Sequence, residues 1–182
     1  MSPRVLVAVA FVVAFACLAV PAQADVHSQI VTLAKQAANG VALKGWRGGA
    51  IPYSWGGGHG GSPGPSTGTC VGYTGSIHPC PATTTVGLDC SGFSRWIYSL
   101  AFGRDILGSG TAASQTKLRS ATKTTNPAAG DLVFFANSSG AIVHVGIYIG
   151  NDQMVNAPYT GVYVRVDRVS SHSRVAGYYR YN

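Results

Sequence analysis

The sequence predicts an α+β fold, with helices packed on an antiparallel sheet of about five to six strands. In the first part of the chain, apolar residues recur at helical spacing. Beyond Pro127 the apolar residues instead alternate along consecutive segments separated by short turns. Helical and strand patterns are therefore segregated along the chain, which is typical of α+β proteins. A length of 182 residues suits one domain with a single core.

Residues 1–24 are predicted to be a secretory signal peptide. An early arginine is followed by a long apolar run and a small-x-small end that closes with Ala24. The alternative is a membrane anchor, but the apolar run is shorter than the roughly 20 residues that span a bilayer. We therefore expect cleavage after Ala24, a single exported domain at residues 25–182, and no membrane association of the cleaved product.

Three helices are predicted before the strands. The first begins at Val26 and is stopped by Asn39 and Gly40. The second is the segment "CSGFSRWIYSLAFG", with Asp89 as its N-cap and Gly103 as its terminator. A weaker third helix is predicted at 111–119. The strands are then expected in "GDLVFFA", "HVGIYIG", "QMVNA", "GVYVRVDRV" and "RVAGYYRYN".

Charge narrows the choice of partners. The chain carries 13 Lys and Arg residues against 6 acidic residues, and its net charge is +7. A basic exported protein is attracted to polyanions, including bacterial cell walls and nucleic acids. The basic residues are scattered singly, without a cluster or an aromatic stripe, which argues against nucleic acid and fits a solvated surface. We expect a monomer with no nucleic-acid partner, no metal and no other cofactor.

The cysteine count singles out Cys90. Three cysteines follow the predicted cleavage site, so one thiol is left unpaired in an oxidising compartment. Cys70 and Cys80 lie in a Gly-, Pro-, Ser- and Thr-rich loop, where a disulfide would close a short ring. This pairing is favoured, and it leaves Cys90 free. The alternatives are a Cys80–Cys90 disulfide, or zinc bound by the loop cysteines with His59 or His78, although those spacings match no common zinc arrangement.

A free Cys90 has the setting of a nucleophile. It lies in the opening turn of the second predicted helix, where unpaired amides and the helix dipole stabilise a thiolate. The small neighbours Ser91 and Gly92 leave the sulfur accessible. The alternative is an inert buried cysteine.

His144 is the candidate base, and Asn156 is the candidate for orienting its ring. His144 begins a predicted strand, whereas the other histidines follow no regular pattern. If Gly150–Asp152 forms a three-residue hairpin loop in which Ile149 pairs with Gln153, His144 and Asn156 share one face as diagonal neighbours. A two-residue loop would place Asn156 on the opposite face. Two weaker candidates for the orienting role are Asp152 and Asp167.

Four segments, in order, resemble the NlpC-type cell-wall cysteine peptidases, a branch of the papain-like fold. They are "IPYSWGG", "LDCSGFSRWIY", "PAAGDLVFF" and "HVGIYIGNDQMVNAP". The resemblance covers nearly the whole chain after the predicted leader. It departs from the family in a longer segment at about 58–86, which carries two cysteines and is inserted beside the expected cleft.

The resemblance implies hydrolysis of peptidoglycan stem peptides, usually between D-γ-glutamate and the following diamino acid. Cys90 would attack as a thiolate, and His144 would take and return the proton. Asn156 would hold the ring, at a position where the family varies. The Cys90 amide and the Tyr53 hydroxyl would stabilise the oxyanion. The resemblance further implies that the substrate contacts residues Asp89 and Ser91.

Two other functions remain possible from the sequence. The same triad serves equally for an amidase or for cleavage of another peptide cross-link. A non-catalytic wall-binding protein on this scaffold is the alternative from a different class.

Overall fold

The computed structural model describes residues 25–172 and 174–182, where three α-helices pack on a six-stranded antiparallel sheet. The helices are α1 (Val26–Ala38), α2 (Cys90–Phe102) and α3 (Ala112–Gln115). The strands are β1 (Ala121–Thr124), β2 (Leu132–Ala136), β3 (Ile142–Gly150), β4 (Gln153–Asn156), β5 (Arg165–Arg168) and β6 (Val175–Tyr181). Their order across the sheet is β1-β6-β2-β3-β4-β5. The predicted fold class is confirmed, and the predicted signal peptide lies outside the described residues.

The ends of α2 follow the predicted signals. The carboxylate of Asp89 accepts a hydrogen bond of 2.8 Å from the amide of Gly92, so Asp89 is the N-cap. Gly103 ends the helix in the left-handed conformation, with φ of 68°.

One predicted helix boundary is wrong, and one strand was not predicted. The helix expected at 111–119 is only the four-residue α3, because the backbone bonds of Lys117 and Leu118 go to residues three positions back rather than four. The edge strand β1 has no counterpart among the predicted strands. It is short and mostly polar, and it pairs with β6 at one edge of the sheet. Such a strand has no apolar alternation to reveal it.

The hairpin between β3 and β4 differs from the prediction in its turn. Gly150, and not Ile149, pairs with Gln153, and the turn consists of Asn151 and Asp152, both with positive φ. A register shift between residues 148 and 150 offsets the shorter turn. The rest of the hairpin therefore pairs as predicted, with Ile147 opposite Val155 and Tyr148 opposite Met154.

Each face of the sheet has its own apolar cluster. The larger cluster joins the helices to the sheet and includes the buried residues Phe93, Trp96, Val145 and Ile147. A smaller cluster on the opposite face contains Val133, Phe135, Met154 and Val169. In the described ranges, no helix has the length and apolar character needed to cross a membrane.

Residues 58–86 fold back over the start of α2. Gly92 makes this approach possible, because a Cβ atom there would lie 2.2 Å from the carbonyl oxygen of Gly57. Arg95, buried within α2, holds the beginning of the segment by donating from Nη1 to the carbonyl oxygen of Gly58 at 2.9 Å. The segment is therefore packed onto the helix that carries Cys90.

The predicted disulfide between Cys70 and Cys80 is confirmed. The two sulfurs are 2.01 Å apart, and the Cα atoms are 6.0 Å apart. Cys90 is a free thiol. The disulfide occupies both loop thiols, so the alternative zinc arrangement and the alternative Cys80–Cys90 pairing are wrong.

Candidate active site

Backbone pairing brings Tyr53 beside Cys90. Tyr53 and Leu88 form a parallel bridge, in which the amide of Leu88 donates to Pro52 and the amide of Ser54 donates to Leu88, both at 3.1 Å. Cys90 follows two residues after Leu88 as the first residue of α2. The sequence element "IPYSWGG" is thus fixed next to the start of the helix.

Two cavities meet at Cys90, which is half-buried. One has a volume of about 260 Å³, and its walls include both Cys90 and His144. The other has a volume of about 180 Å³, and its walls include Asp89 and Ser91. Tyr53 lines both. The structure therefore gathers Cys90, His144, Tyr53, Asp89 and Ser91 around one cleft. The candidate Asp152 lies away from it, at the β3–β4 turn.

Asn156 is fully buried and contacts the imidazole of His144. Its Oδ1 atom lies 2.9 Å from Nε2 of His144. On its other side, the Nδ2 atom of Asn156 donates to Oδ2 of Asp167 at 3.0 Å. Gly146 leaves room for the neighbouring strand β4, because a Cβ atom there would lie 2.5 Å from Sδ of Met154. The space at Gly146 thus accommodates a β4 side chain.

Asp167 determines which tautomer of His144 is present. A carboxylate only accepts hydrogen bonds, so the NH₂ group of Asn156 must face Asp167 and the amide oxygen must face His144. That oxygen in turn accepts only from a protonated Nε2. The proton of neutral His144 therefore sits on Nε2, and Nδ1 is left with the free lone pair of a base.

His172 completes the surroundings of His144. The two imidazole rings are stacked, with centroids 5.4 Å apart and planes 6° apart. Nε2 of His172 lies 3.5 Å from Oδ2 of Asp167, and Phe135 packs against both rings. The ring of His144 is thus restrained from two directions, by the Asn156 amide and by the stack.

Burial sets the protonation of the Cys90 and His144 pair. Burial, with the charge of Asp89 second, raises the pKa of Cys90 to about 12, against backbone hydrogen bonds at Val145 and Ser91 that lower it. Burial also lowers the pKa of His144 to about 4, against the Asn156 hydrogen bond. Both shifts favour the neutral forms of the thiol and the imidazole, whereas the position of Cys90 at the helix start led us to expect a thiolate.

The phenol of Tyr53 stays protonated. Burial, followed by the charges of Cys90 and Asp89, raises the pKa of this group far above its usual value. Only 8% of the residue is exposed. Its hydroxyl group is therefore a permanent hydrogen-bond donor at the cleft.

Asp89 and Ser91 form a cluster with His59, which comes from the inserted segment. Nε2 of His59 lies 2.9 Å from both carboxylate oxygens of Asp89. The hydroxyl of Ser91 donates to Oδ1 of Asp89 at 3.0 Å. Within the described ranges, no group of three or more His, Cys, Asp and Glu side chains is placed to hold a metal ion.

The inserted segment also supplies a wall of the cleft. Thr74 and Gly75, which lie between the two bridged cysteines, line the cavity that contains His144. Trp55 holds this wall by donating from Nε1 to the carbonyl oxygen of Val71 at 2.9 Å and by contacting Tyr73 edge to face. Trp55 itself lines both cavities, so it is part of the cleft as well as a support for its wall.

His59 was considered only as an alternative zinc ligand, His172 had no predicted role, and Asp167 was a weaker candidate than Asn156. The eight residues between β4 and β5 follow no regular pattern, so nothing in the sequence sets the register that brings Asp167 to Asn156. His59 and His172 lie in irregular segments, where periodicity carries no information. Asp167 lies two residues after Arg165, so the two side chains share one face of a strand, where they form an ion pair at 2.9 Å. This spacing was the only local indication that Asp167 has a defined partner.

Residues 49–178 match the model of the NlpC/P60 family. The chain belongs to this family. The resemblance seen in the four sequence segments is thereby confirmed, and the matched range contains Cys90, His144 and Asn156.

Several relatives are similar over part of their length. Peptidoglycan endopeptidase RipA of Mycobacterium tuberculosis is 36% identical over 132 residues, which cover 72% of this chain and 24% of that protein. RipA of Mycolicibacterium smegmatis is 34% identical over 119 residues, covering 65% of this chain and 20% of that protein. A solved structure of the resuscitation promoting factor interacting protein RipA is 28% identical, with a TM-score of 0.60, and the similarity covers 86% of this chain and 62% of that one. The matched region thus covers less than a quarter of the length of either RipA protein.

Proposed function

We propose that this chain is a secreted cysteine peptidase that hydrolyses the stem peptides of peptidoglycan. The observation that carries the proposal is the free thiol of Cys90 and the base His144 in the wall of one cavity, with Asn156 holding the ring. Relatives named peptidoglycan endopeptidases support the substrate class. The disulfide supports export, because disulfides persist in oxidising compartments.

The chemistry begins with a neutral pair. As Cys90 attacks the peptide carbonyl carbon, Nδ1 of His144 takes the thiol proton, and the sulfur reacts as a thiolate. The imidazolium then gives this proton to the leaving amine, which breaks the peptide bond and leaves a thioester on Cys90. Water, deprotonated by His144, attacks the thioester, and the proton returns to the sulfur. Asn156 holds the ring through both transfers.

Two donors would stabilise the negative charge that develops on the carbonyl oxygen. They are the amide of Cys90, in the first turn of α2, and the phenol of Tyr53. Each such donor is worth about 2.7–4 kcal/mol of transition-state stabilisation in comparable sites. The raised pKa of Tyr53 keeps its proton available at any physiological pH.

The bond cleaved is the one between D-γ-glutamate and the diamino acid, with Asp89 and Ser91 beside the acyl part of the substrate. Both side chains line the 180 Å³ cavity on one side of Cys90. The chain acts as a monomer and needs no cofactor, because the thiol, base and oxyanion donors all come from its own residues.

The proposal is tested by digesting purified peptidoglycan and identifying the products by mass spectrometry. We expect wild-type protein to release fragments with a new amino group on the diamino acid, and Cys90→Ala to release none while keeping its circular dichroism spectrum. Wild-type protein alkylated at its free thiol serves as a chemical control and should be equally inactive. Products cut at the glycan–peptide amide or at a cross-link would establish the alternative bond. Binding to the wall without any product from wild-type protein would establish a non-catalytic protein.

A further inference from the structure

His59 is held with both ring nitrogens facing hydrogen-bond acceptors. Nδ1 lies 2.9 Å from the backbone carbonyl oxygen of Ser109. Nε2 lies 2.9 Å from both oxygens of the Asp89 carboxylate. Because a carbonyl oxygen and a carboxylate only accept, both nitrogens must carry protons, and the ring is an imidazolium.

The charges around the ring support this state. Burial lowers the pKa of His59, but the hydrogen bond and charge of Asp89, with the Ser109 carbonyl, outweigh burial and raise it. The opposing charge is Arg95, which is itself paired with Asp105 at 2.7 Å. His59 and Asp89 therefore form an ion pair beside the cleft, with side chains that are 19% and 16% exposed.

The carboxylate of Asp89 is already engaged by groups of the protein and is paired with a cation. It accepts hydrogen bonds from the Gly92 amide, the Ser91 hydroxyl and His59. The chain has only six acidic residues, and Asp89 is the only one of them that lines either cavity at Cys90. A substrate ammonium group would thus find no unpaired carboxylate in the part of the cleft that the structure describes.

The position of His144 shows which end of the substrate meets this ion pair. His144 returns its proton to the leaving amine, so the leaving group must lie in the 260 Å³ cavity that His144 lines. The acyl part of the substrate, which contains its amino end, then extends the other way, into the 180 Å³ cavity lined by Asp89 and Ser91.

We propose that His59 is a specificity-determining residue, which neutralises Asp89 and thereby selects stem peptides with an acylated amino end over those with a free ammonium group. This inference rests on the proposed function. An acylated amino end is the state of a stem peptide still joined to its glycan strand. His59 acts through Asp89 and does not touch the reacting atoms, so it is a positioning residue that sets the charge of the acyl side.

The test uses one synthetic stem peptide in two forms, with a free amino end and with an N-acetyl group. For wild-type protein at pH 7, we expect kcat/KM to be at least about tenfold higher for the acetylated form. In His59→Gln, which keeps a donor and removes the charge, we expect this ratio to fall to about 1 or to invert, as the uncompensated carboxylate attracts the ammonium. The matched control is His78→Gln in the same segment, whose exposed ring contacts Tyr73, and its ratio should equal that of wild type.

The possible outcomes separate the two proposals. Cleavage of neither form by wild-type protein overturns the proposed function and the inference with it. Cleavage of both forms at equal rates, or an unchanged ratio in His59→Gln, overturns the inference alone. A readout that needs no activity is the ¹⁵N NMR spectrum of the imidazoles in intact protein, which should show two protonated nitrogens for His59 at pH 7. A neutral His59 ring in that spectrum also overturns the inference, even if the Gln variant fails to fold.

Discussion

A neutral amide contacts the imidazole of His144, and the negative charge lies one residue further away. Asp167 bonds to Asn156 rather than to the ring, and Arg165 in turn donates to Asp167 at 2.9 Å. Burial raises the pKa of Asp167, but the hydrogen bonds from Asn156 and Arg165 outweigh burial and lower it, so the carboxylate stays charged. This charge fixes the direction of the amide, which fixes the tautomer of the base.

Two variants test this arrangement: one removes the carboxylate of Asp167, and the other transfers it to position 156. In Asp167→Ala, Asn156 is free to turn its NH₂ group toward His144 and stabilise the wrong tautomer, so we expect kcat to fall about 100-fold. In the double variant Asn156→Asp with Asp167→Asn, a carboxylate contacts Nε2 directly, and we expect most of the activity to return. The direct carboxylate raises the pKa of His144, so the acidic limb of the pH–rate profile should move to higher pH.

The matched control for this swap is Asp152→Ala. Asp152 also accepts hydrogen bonds, from Ser170, but it lies at the β3–β4 turn away from the ring. We expect its pH–rate profile to equal that of wild type. Full activity in Asp167→Ala would show that Asn156 keeps its orientation without the carboxylate.

The pKa shifts of Cys90 and His144 predict how alkylation of the thiol depends on pH. With the pKa of Cys90 near 12 and that of His144 near 4, both groups are neutral between these values. The rate of reaction with iodoacetamide should therefore rise about tenfold per pH unit from about pH 6 to pH 10, without a plateau. His144→Ala should show the same slope. A plateau at neutral pH that disappears in His144→Ala would instead establish a thiolate–imidazolium pair.

At the scale of elements, residues 58–86 matter most to the cleft. The segment supplies Thr74 and Gly75 to one wall, and it supplies His59 to the cluster at the start of α2. Ordinary connections are much shorter, and so long a loop needs something to order it. Here the ordering comes from the Cys70–Cys80 disulfide and from the buried guanidinium of Arg95.

Removing the disulfide should loosen one wall of the cleft and leave the chemistry in place. For the double variant Cys70→Ala with Cys80→Ala, we expect the free energy of unfolding to fall by about 2–3 kcal/mol, because a short ring no longer restrains the unfolded chain. We expect KM to rise more than kcat falls, since Thr74 and Gly75 line the cleft but not the proton path. Calorimetry and steady-state kinetics measure these effects.

Reductant provides the control for the disulfide variant. It should reproduce the same changes in wild-type protein and should have no further effect on the double variant. An unchanged KM in the double variant would show that the wall makes no contact with substrate.

In the β3–β4 hairpin, two differences from the predicted structure, a shorter turn and a bulge, cancel each other's effect on the pairing. Sequence reasoning required a three-residue turn to place Asn156 on the face of His144. The turn has two residues, which alone would reverse the face, but the bulge at Ile149 and Gly150 shifts the register by one residue. The predicted contact therefore exists for a reason that the sequence pattern did not contain.

At the scale of the whole molecule, the fold joins three distant segments at one place. The helix start carries Cys90, and the sheet carries His144 and Asn156. The segment around Tyr53 pairs with the residues that precede α2 and β5: the amide of Tyr53 donates to the carbonyl of Val162, and the carbonyl of Pro52 accepts from the amide of Leu88. The cleft therefore forms only when the helix layer and the sheet have packed together.

The sequence by itself determined the α+β class, the ends of α2 and the resemblance to the family, and it singled out Cys90 and His144 as candidates. Each of these depends on local signals, namely apolar period, capping residues and short motifs in order. The tertiary structure alone decided the burial that raises the pKa of Cys90, the bulge that brings Asn156 to His144, and the ion pair of His59 with Asp89. These depend on burial and on contacts between irregular segments far apart in the chain, and no periodic pattern of residues encodes such distances.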